Sequence, residues 1–213
     1  KEFGEKFKVV ISEGYGLSEA APVVSHNPVD GMKKPRSIGI PIPGVEMKIF
    51  DDEDRELPDG QIGELVVSGP NVMKGYLNSP KESSEALRGG WLHTGDMAYR
   101  DEDGYYFIVD RKKEMILTGG FNIYPREVEE VLFTHEKVAE ASVVGIPDME
   151  KGEIAKAFIV LKEGQTAAIE EIMEFCRTRI AAYKAPRQAE FIKALPRNAA
   201  GKVLKRVLRG ETE

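Results

Sequence analysis

Between residues 45 and 50 apolar and polar side chains alternate, which places Val45, Met47 and Ile49 on one face of a strand. That strand runs into the acidic turn DDEDRELPDG. A second short strand is expected at 63–68 (GELVVS). Residues 101–104 (DEDG) are a turn signal between strand-like segments at 97–100 and 105–109. Short strands punctuated by Gly and Pro predict an antiparallel sheet or a small barrel for the first half of the chain.

After Arg111 the period changes. Pro125 can open a helix whose apolar positions Val128, Val131 and Leu132 recur at helical spacing. Strands are expected at 141–146 and 155–161. Ile169, Ile172, Met173, Cys176 and Ile180 then form one helical stripe, on which Cys176 reads as a core thiol rather than a nucleophile. A last strand is expected at 188–192, a loop at LPRNAAGK, and a short terminal helix at 203–209. The pattern therefore predicts an α+β chain with a boundary near residues 110–114.

Composition narrows the function classes. The 213 residues carry 30 basic and 36 acidic side chains, a net charge of −6, with 41% hydrophobic residues. Such a chain can bury a core, and it is neither disordered nor collagen-like. No apolar stretch approaches about 18 residues, so no transmembrane segment is expected. The charged start KEFGEKFKVV does not read as a secretory signal. One cysteine, Cys176, and three scattered histidines (His26, His93, His135) exclude an intramolecular disulfide and a multi-cysteine zinc site. A reducing, cytoplasmic setting is expected, and no nucleic-acid partner. Residues 1–110 hold 12 basic and 20 acidic side chains, while from Lys184 onward the count is 8 against 3. That basic tail suits either an anionic ligand or a solvated helix face.

Four segments are rich in Gly, hydroxyl and charge outside the periodic elements. In EGYGLSE (residues 13–19) two glycines permit close backbone approach, Tyr15 offers an aromatic face, Ser18 a hydroxyl and Glu19 a ligand for a hard cation. Taken alone it reads first as a Gly-rich turn with a helix-capping Ser. WLHTGD (91–96) ends in Asp96, a carboxylate able to accept from a ribose diol or to close an Asx turn. IVDRKKEMILTGGFNIYPREVE (108–129) reads as a linker and a tight turn at Gly119-Gly120. LPRNAAGKV (195–203) is not a phosphate loop, because Pro196 and Val203 stand where Gly and Ser or Thr are required.

Order and spacing together change these readings. GYGLSE, GELVVSGPNVMKGYL, GWLHTGD, IVDRKKEMI with GGFNIYPREVE, and LPRNAAGK, in that order, resemble the adenylate-forming superfamily over almost the whole chain. Its members include acyl-CoA synthetases, the adenylation domains of peptide synthetases and beetle luciferases. The wording is most similar to medium- and long-chain fatty-acid:CoA ligases. The resemblance implies a ligase that activates a carboxylic acid with ATP and Mg²⁺ as an acyl-adenylate, then passes the acyl group to coenzyme A. By the same resemblance Tyr15 lies against adenine, with Gly14 and Gly16 in close backbone contact. Ser18, where the family more often has Thr, supplies a hydroxyl for phosphate, and Glu19 holds Mg²⁺. Asp96 and Arg111 hold the ribose, Ile108 walls the nucleotide pocket, and Lys202 is the catalytic lysine of adenylation. Lys113 falls at the hinge, Gly119 and Gly120 at the pantetheine arm, and Tyr183 and Lys184 are weaker candidates for the nucleotide end of coenzyme A.

The family's phosphate loop and its acid-selecting pocket precede GYGLSE, and these residues hold no counterpart. The resemblance therefore implies the C-terminal part of such an enzyme. It holds the β-rich end of the large AMP-binding domain (1–111) and the small, mobile α+β domain (112–213), with little activity alone. Two alternatives remain at this level: an enzyme that loads a carrier protein, and a non-catalytic binding remnant.

Overall fold

A computed structural model describes residues 2–211, and the chain divides into two units, Lys1–Lys112 and Lys113–Glu213. In the first, α1 (Glu2–Phe7) precedes a three-stranded antiparallel sheet of β1 (Gly14–Gly16), β2 (Val23–His26) and β3 (Ile40–Pro41). An antiparallel meander follows: β4 (Glu46–Phe50), β5 (Gly63–Ser68), β6 (Leu92–Arg100) and β7 (Tyr106–Arg111), in that spatial order. The connection from β5 to β6 carries α2 (Pro80–Ala86), which Pro80 opens.

The alternation at 45–50 is realised: Val45, Met47 and Ile49 are buried with Leu65, Val67, Leu92, Ala98 and Tyr106. The barrel alternative is not, because β4 and β7 stand at opposite ends of the sheet order. The physical reason is that the β7 edge is already occupied. Tyr106 N–H donates to Gly39 at 3.0 Å, and Tyr106 C=O accepts from Ile38 at 2.9 Å. The Tyr106 hydroxyl also reaches the Met47 carbonyl at 2.5 Å, so this one residue ties the loop before β3 to the meander. The turn at 101–104 closes as its sequence requires. Asp101 accepts from Tyr105 N–H with its side chain, and Gly104 takes φ +80°.

The second unit is a five-stranded sheet. A hairpin of β8 (Ile116–Thr118) and β9 (Phe121–Ile123) leads into α3 (Pro125–Phe133). Two long strands, β10 (Val138–Asp148) and β11 (Gly152–Leu161), pair antiparallel. Then come α4 (Ile169–Arg177), β12 (Gln188–Phe191), which runs parallel to β11, and α5 (Lys205–Leu208). The apolar runs of β10 and β11 are continuous because both faces are covered. Ala141, Val143, Ala155, Ala157 and Ile159 pack under Val128, Leu132, Ile172 and Cys176. On the opposite face, Val144 and Phe158 pack with Leu195, Val203 and Leu208. Burial also pushes the Cys176 thiol up to about 11, which suits the core role expected of it.

Two helix ends differ from expectation. The α4 stripe stops at Arg177 with Thr178 as its cap, and Ile180 reaches the same core from the following turn. The terminal helix begins at Lys205 rather than 203, because Val203 is bridged to Arg197 as part of a loop.

The neighbours Leu132 and Phe133 on α3 separate packing from composition, since Leu132 is fully buried and Phe133 is half exposed. Leu132→Ala is expected to cost about 2–5 kcal/mol in urea unfolding and Phe133→Ala about 0.5. Equal losses contradict the packing described.

Candidate active site

Three residues far apart in sequence meet at Asp96, which β6 carries and which is buried to 5% exposure. Tyr15 on β1 donates its hydroxyl to one carboxylate oxygen at 2.5 Å. Arg111, directly opposite Asp96 in the β6–β7 ladder, approaches the other with Nε at 2.6 Å. A buried carboxylate needs such partners, because its charge is otherwise costly to desolvate. Burial and the Asp96 bond together push the Tyr15 phenol well above the ordinary tyrosine range. A carboxylate has about four acceptor positions. Tyr15 and Arg111 therefore leave capacity for two further donors, which is what a vicinal diol presents.

Asp96 is carried on a bulge. Glu64 pairs with Met97 and Val66 with His93, so Leu65 alone stands opposite residues 94–96. Gly95 takes φ +71° there. Thr94 Oγ1 donates to the Leu65 carbonyl at 2.8 Å and accepts from Asp96 N–H at 3.1 Å. Buried Glu64 accepts from Gly95 N–H at 3.1 Å. The sequence reading did not single out Glu64 or Thr94. The signal for Glu64 was a lone carboxylate in an otherwise apolar strand, GELVVS.

The EGYGLSE segment lies beside this cluster, and its glycines have a structural reason of their own. A side chain on Gly16 would begin 1.8 Å from the Pro22 carbonyl oxygen, and one on Gly14 2.9 Å from that of Ser25. Both are required by the close pairing of β1 with β2. Ser18 is exposed inside a 3-10 turn (Ser18–Ala20) and does not cap it; the residue preceding the turn is Leu17. Half-buried Glu19 accepts from the Tyr76 hydroxyl at 2.9 Å, and burial together with this contact raises the Tyr76 phenol. Among the described residues no cluster of three or more metal-ligating side chains occurs. A lone carboxylate does fit Mg²⁺, which takes one or two protein carboxylates and fills its shell with water and phosphate oxygens. Ile108, half-buried on β7, packs against the same core as Tyr15 and Leu17.

The remaining candidates belong to the second unit. Gly119 and Gly120 form the two-residue turn between β8 and β9, with φ of +54° and +83°. Two consecutive positive values demand a primed hairpin turn and explain both glycines. The expected tight turn is present, and what reads as a linker around it is a paired hairpin. Next to it, Phe121 packs against Tyr183 with ring centroids 5.0 Å apart and the rings tilted by 34°. Lys113 is exposed. Lys202 is exposed on a loop that Asn198 organises, accepting with its side-chain oxygen from Ala200 N–H at 3.0 Å and Lys202 N–H at 2.9 Å.

Four of the eight basic side chains of the tail are paired within their own unit. Lys184 pairs with Glu127 at 2.7 Å, Arg197 with Glu140 at 2.8 Å, Lys205 with Glu129 at 2.9 Å, and Arg209 with Glu114. These four pairs reduce the positive charge that the tail can offer to an anionic ligand. Lys202, by contrast, makes no ion pair among the described residues. No helix among the described residues is long and apolar enough to cross a membrane.

Comparison with known proteins gives a consistent picture. The sequence model of the AMP-binding enzyme family matches residues 1–77, and that of the AMP-binding enzyme C-terminal domain matches residues 127–202. The chain is 51% identical to a long-chain-fatty-acid–CoA ligase of Bacillus subtilis (strain 168), covering 100% of this chain and 39% of that protein. It is 49% identical to the ligase of that name from Escherichia coli O6:H1, covering 93% and 35%. It thus spans about two fifths of the length of the curated relatives it matches. Among solved structures, ATP-bound MatB from Rhodopseudomonas palustris aligns with TM-score 0.91 at 36% identity, over 98% of this chain and 42% of that one. The o-succinylbenzoate CoA synthetase MenE of Bacillus subtilis, in complex with an acyl-adenylate, aligns with TM-score 0.86 at 34% identity, over 98% and 43%.

The Tyr15–Asp96 bond has a titration signature. The folded protein keeps the Tyr15 proton where the unfolded chain releases it near pH 10, so its stabilisation is complete below about pH 10 and is lost above it. In an alkaline phenolate titration, wild type and Tyr15→Phe are expected to show equal amplitude up to about pH 11. Loss of one tyrosine's amplitude near pH 10 in the variant contradicts the buried bond.

Proposed function

The chain belongs to the AMP-binding, adenylate-forming enzyme family, and from that premise we propose that the enzyme carrying it is an ATP-dependent acid:CoA ligase directed at fatty acids. The observation that carries this reading is the buried Asp96 carboxylate, flanked by the Tyr15 hydroxyl and the Arg111 guanidinium. An aromatic ring, a carboxylate with spare acceptor capacity and a guanidinium suit a nucleoside bearing phosphates. Fatty acid as the acid class rests on the names of the relatives, which are long-chain-fatty-acid–CoA ligases.

In this reading Tyr15 lies along the adenine and Asp96 accepts from the ribose hydroxyls, with Arg111 fixing its orientation. Ile108 contributes to the apolar wall. Ser18 donates to phosphate, and Glu19 would hold Mg²⁺, whose charge offsets that of the nucleotide phosphates. The acid's carboxylate attacks the α-phosphorus, giving acyl-adenylate and pyrophosphate. Lys202 stabilises the charge that builds on the phosphoryl oxygens and the attacking carboxylate. The thiol of coenzyme A then displaces AMP. We assign residues 1–111 to the end of the large domain and 112–213 to the small one, with Lys113 as the hinge between adenylation and thiol transfer. The Gly119-Gly120 turn, lacking side chains, then admits the pantetheine arm.

The direct test is acid-dependent pyrophosphate release by the complete enzyme with carboxylic acids of graded chain length, followed by trapping of the acyl group on coenzyme A. Release with fatty acids and thioester formation on coenzyme A are expected. Transfer to a carrier-protein phosphopantetheine alone supports a carrier-loading enzyme, and nucleotide binding without release supports a binding remnant.

Lys202→Ala is expected to slow adenylation about 100- to 1000-fold, the usual scale for one such electrostatic group. Thioester formation from supplied acyl-adenylate should be far less affected. Equal loss in both half-reactions contradicts the assignment.

A further inference from the structure

Asp96 is presented where the pairing of β6 with β5 is bulged, and side chains take the backbone N–H groups of Gly95 and Asp96 there. One oxygen of Glu64 takes the Gly95 N–H at 3.1 Å. The other is met by Lys112 Nζ at 3.1 Å, His93 Nδ1 at 3.3 Å and Arg88 Nη2 at 3.4 Å. The Glu64 side chain is 6% exposed and that of His93 3%, so a buried carboxylate is met from the surface by the half-exposed Lys112 and Arg88. Burial alone would raise the Glu64 carboxyl, but Lys112 and His93 outweigh it and hold it below the ordinary range. The carboxylate is therefore ionised at neutral pH, the form that accepts most strongly from a backbone N–H.

The geometry is directional. Glu64 grips Gly95, the residue immediately before Asp96, and Gly95 has the positive φ that turns the chain outward. Thr94, on the other side of that glycine, is fixed to the Leu65 carbonyl on the same β5 strand. The position of the Asp96 backbone is thus set from β5 by two side-chain contacts, while Tyr15 and Arg111 set its carboxylate.

We propose that Glu64 is a positioning residue for nucleotide recognition: its buried carboxylate fixes the 94–96 bulge and so sets where Asp96 meets the ribose hydroxyls. This rests on the ligase reading only in taking the ribose as the group that Asp96 holds. Glu64 itself touches no substrate. Its loss therefore weakens discrimination at the ribose rather than acid binding or the chemical step.

The test uses the complete enzyme in acid-dependent ATP–pyrophosphate exchange, comparing ATP with 2′,3′-dideoxy-ATP, which lacks both ribose hydroxyls. Glu64→Ala is expected to lower the ratio of kcat/KM for ATP over the analogue by about tenfold, the scale of one good hydrogen bond. The loss should appear in KM for ATP, with KM for the acid unchanged. Glu64→Gln keeps the shape and one oxygen but turns an amide N–H₂ toward either Gly95 or the cations. A loss of about threefold in the ratio is expected for it, and it carries the comparison if the alanine variant does not fold. Equal losses for both nucleotides, or an unchanged ratio in both variants, overturn the inference while leaving the ligase reading intact. Absence of exchange by the wild-type enzyme with every acid overturns that reading, and the inference with it.

Discussion

A carboxylate as buried as that of Asp96 is tolerable only with partners, and here its partners come from different strands of the first unit. Tyr15 arrives from the three-stranded sheet, Arg111 from the neighbouring strand of the meander, and the supporting Glu64 from the strand on the other side. Each contact requires the correct pairing of its strand. A one-residue slip in β7 would turn Arg111 away from Asp96, since side chains alternate between faces. The same residues that bring charge to the site therefore make its strand register unique.

The register is reinforced where the two sheets meet. Tyr106 pairs with Gly39 and reaches Met47 with its hydroxyl, so the edge of the meander is closed by the loop that precedes β3. In the second unit the logic is different. Its sheet is buried on both faces, and four cations of its basic tail are held by carboxylates of that unit: Glu127, Glu140, Glu129 and Glu114. The glycine turn, the Phe121–Tyr183 pair and Lys202 are among its exposed features.

Long periodic segments were legible in the sequence: the alternation through Val45, Met47 and Ile49, the helical stripes carrying Val128, Leu132, Ile172 and Cys176, and the apolar runs of β10 and β11. Strands of two or three residues were not, because β1, β3, β8 and β9 are too short to show a period and exist through pairing alone. The tight turn at Gly119-Gly120 was legible, while for the same reason the two short strands that it joins read as a linker. Among the site candidates, Tyr15, Asp96 and Arg111 proved to be mutual partners. Gly14 and Gly16 have a reason in strand packing that the motif alone did not display. Glu64 escaped notice because its role depends on the bulge, and a bulge is a mismatch between two strands rather than a property of either.

The central claim is that the Asp96 cluster is a ribose site. A crystal structure of the complete enzyme with an acyl-adenylate analogue tests it most directly. The account predicts both ribose hydroxyls within about 3 Å of the Asp96 carboxylate, with Arg111 retained as its partner. A nucleotide whose ribose faces elsewhere, with the Tyr15–Asp96–Arg111 contacts undisturbed, would contradict it.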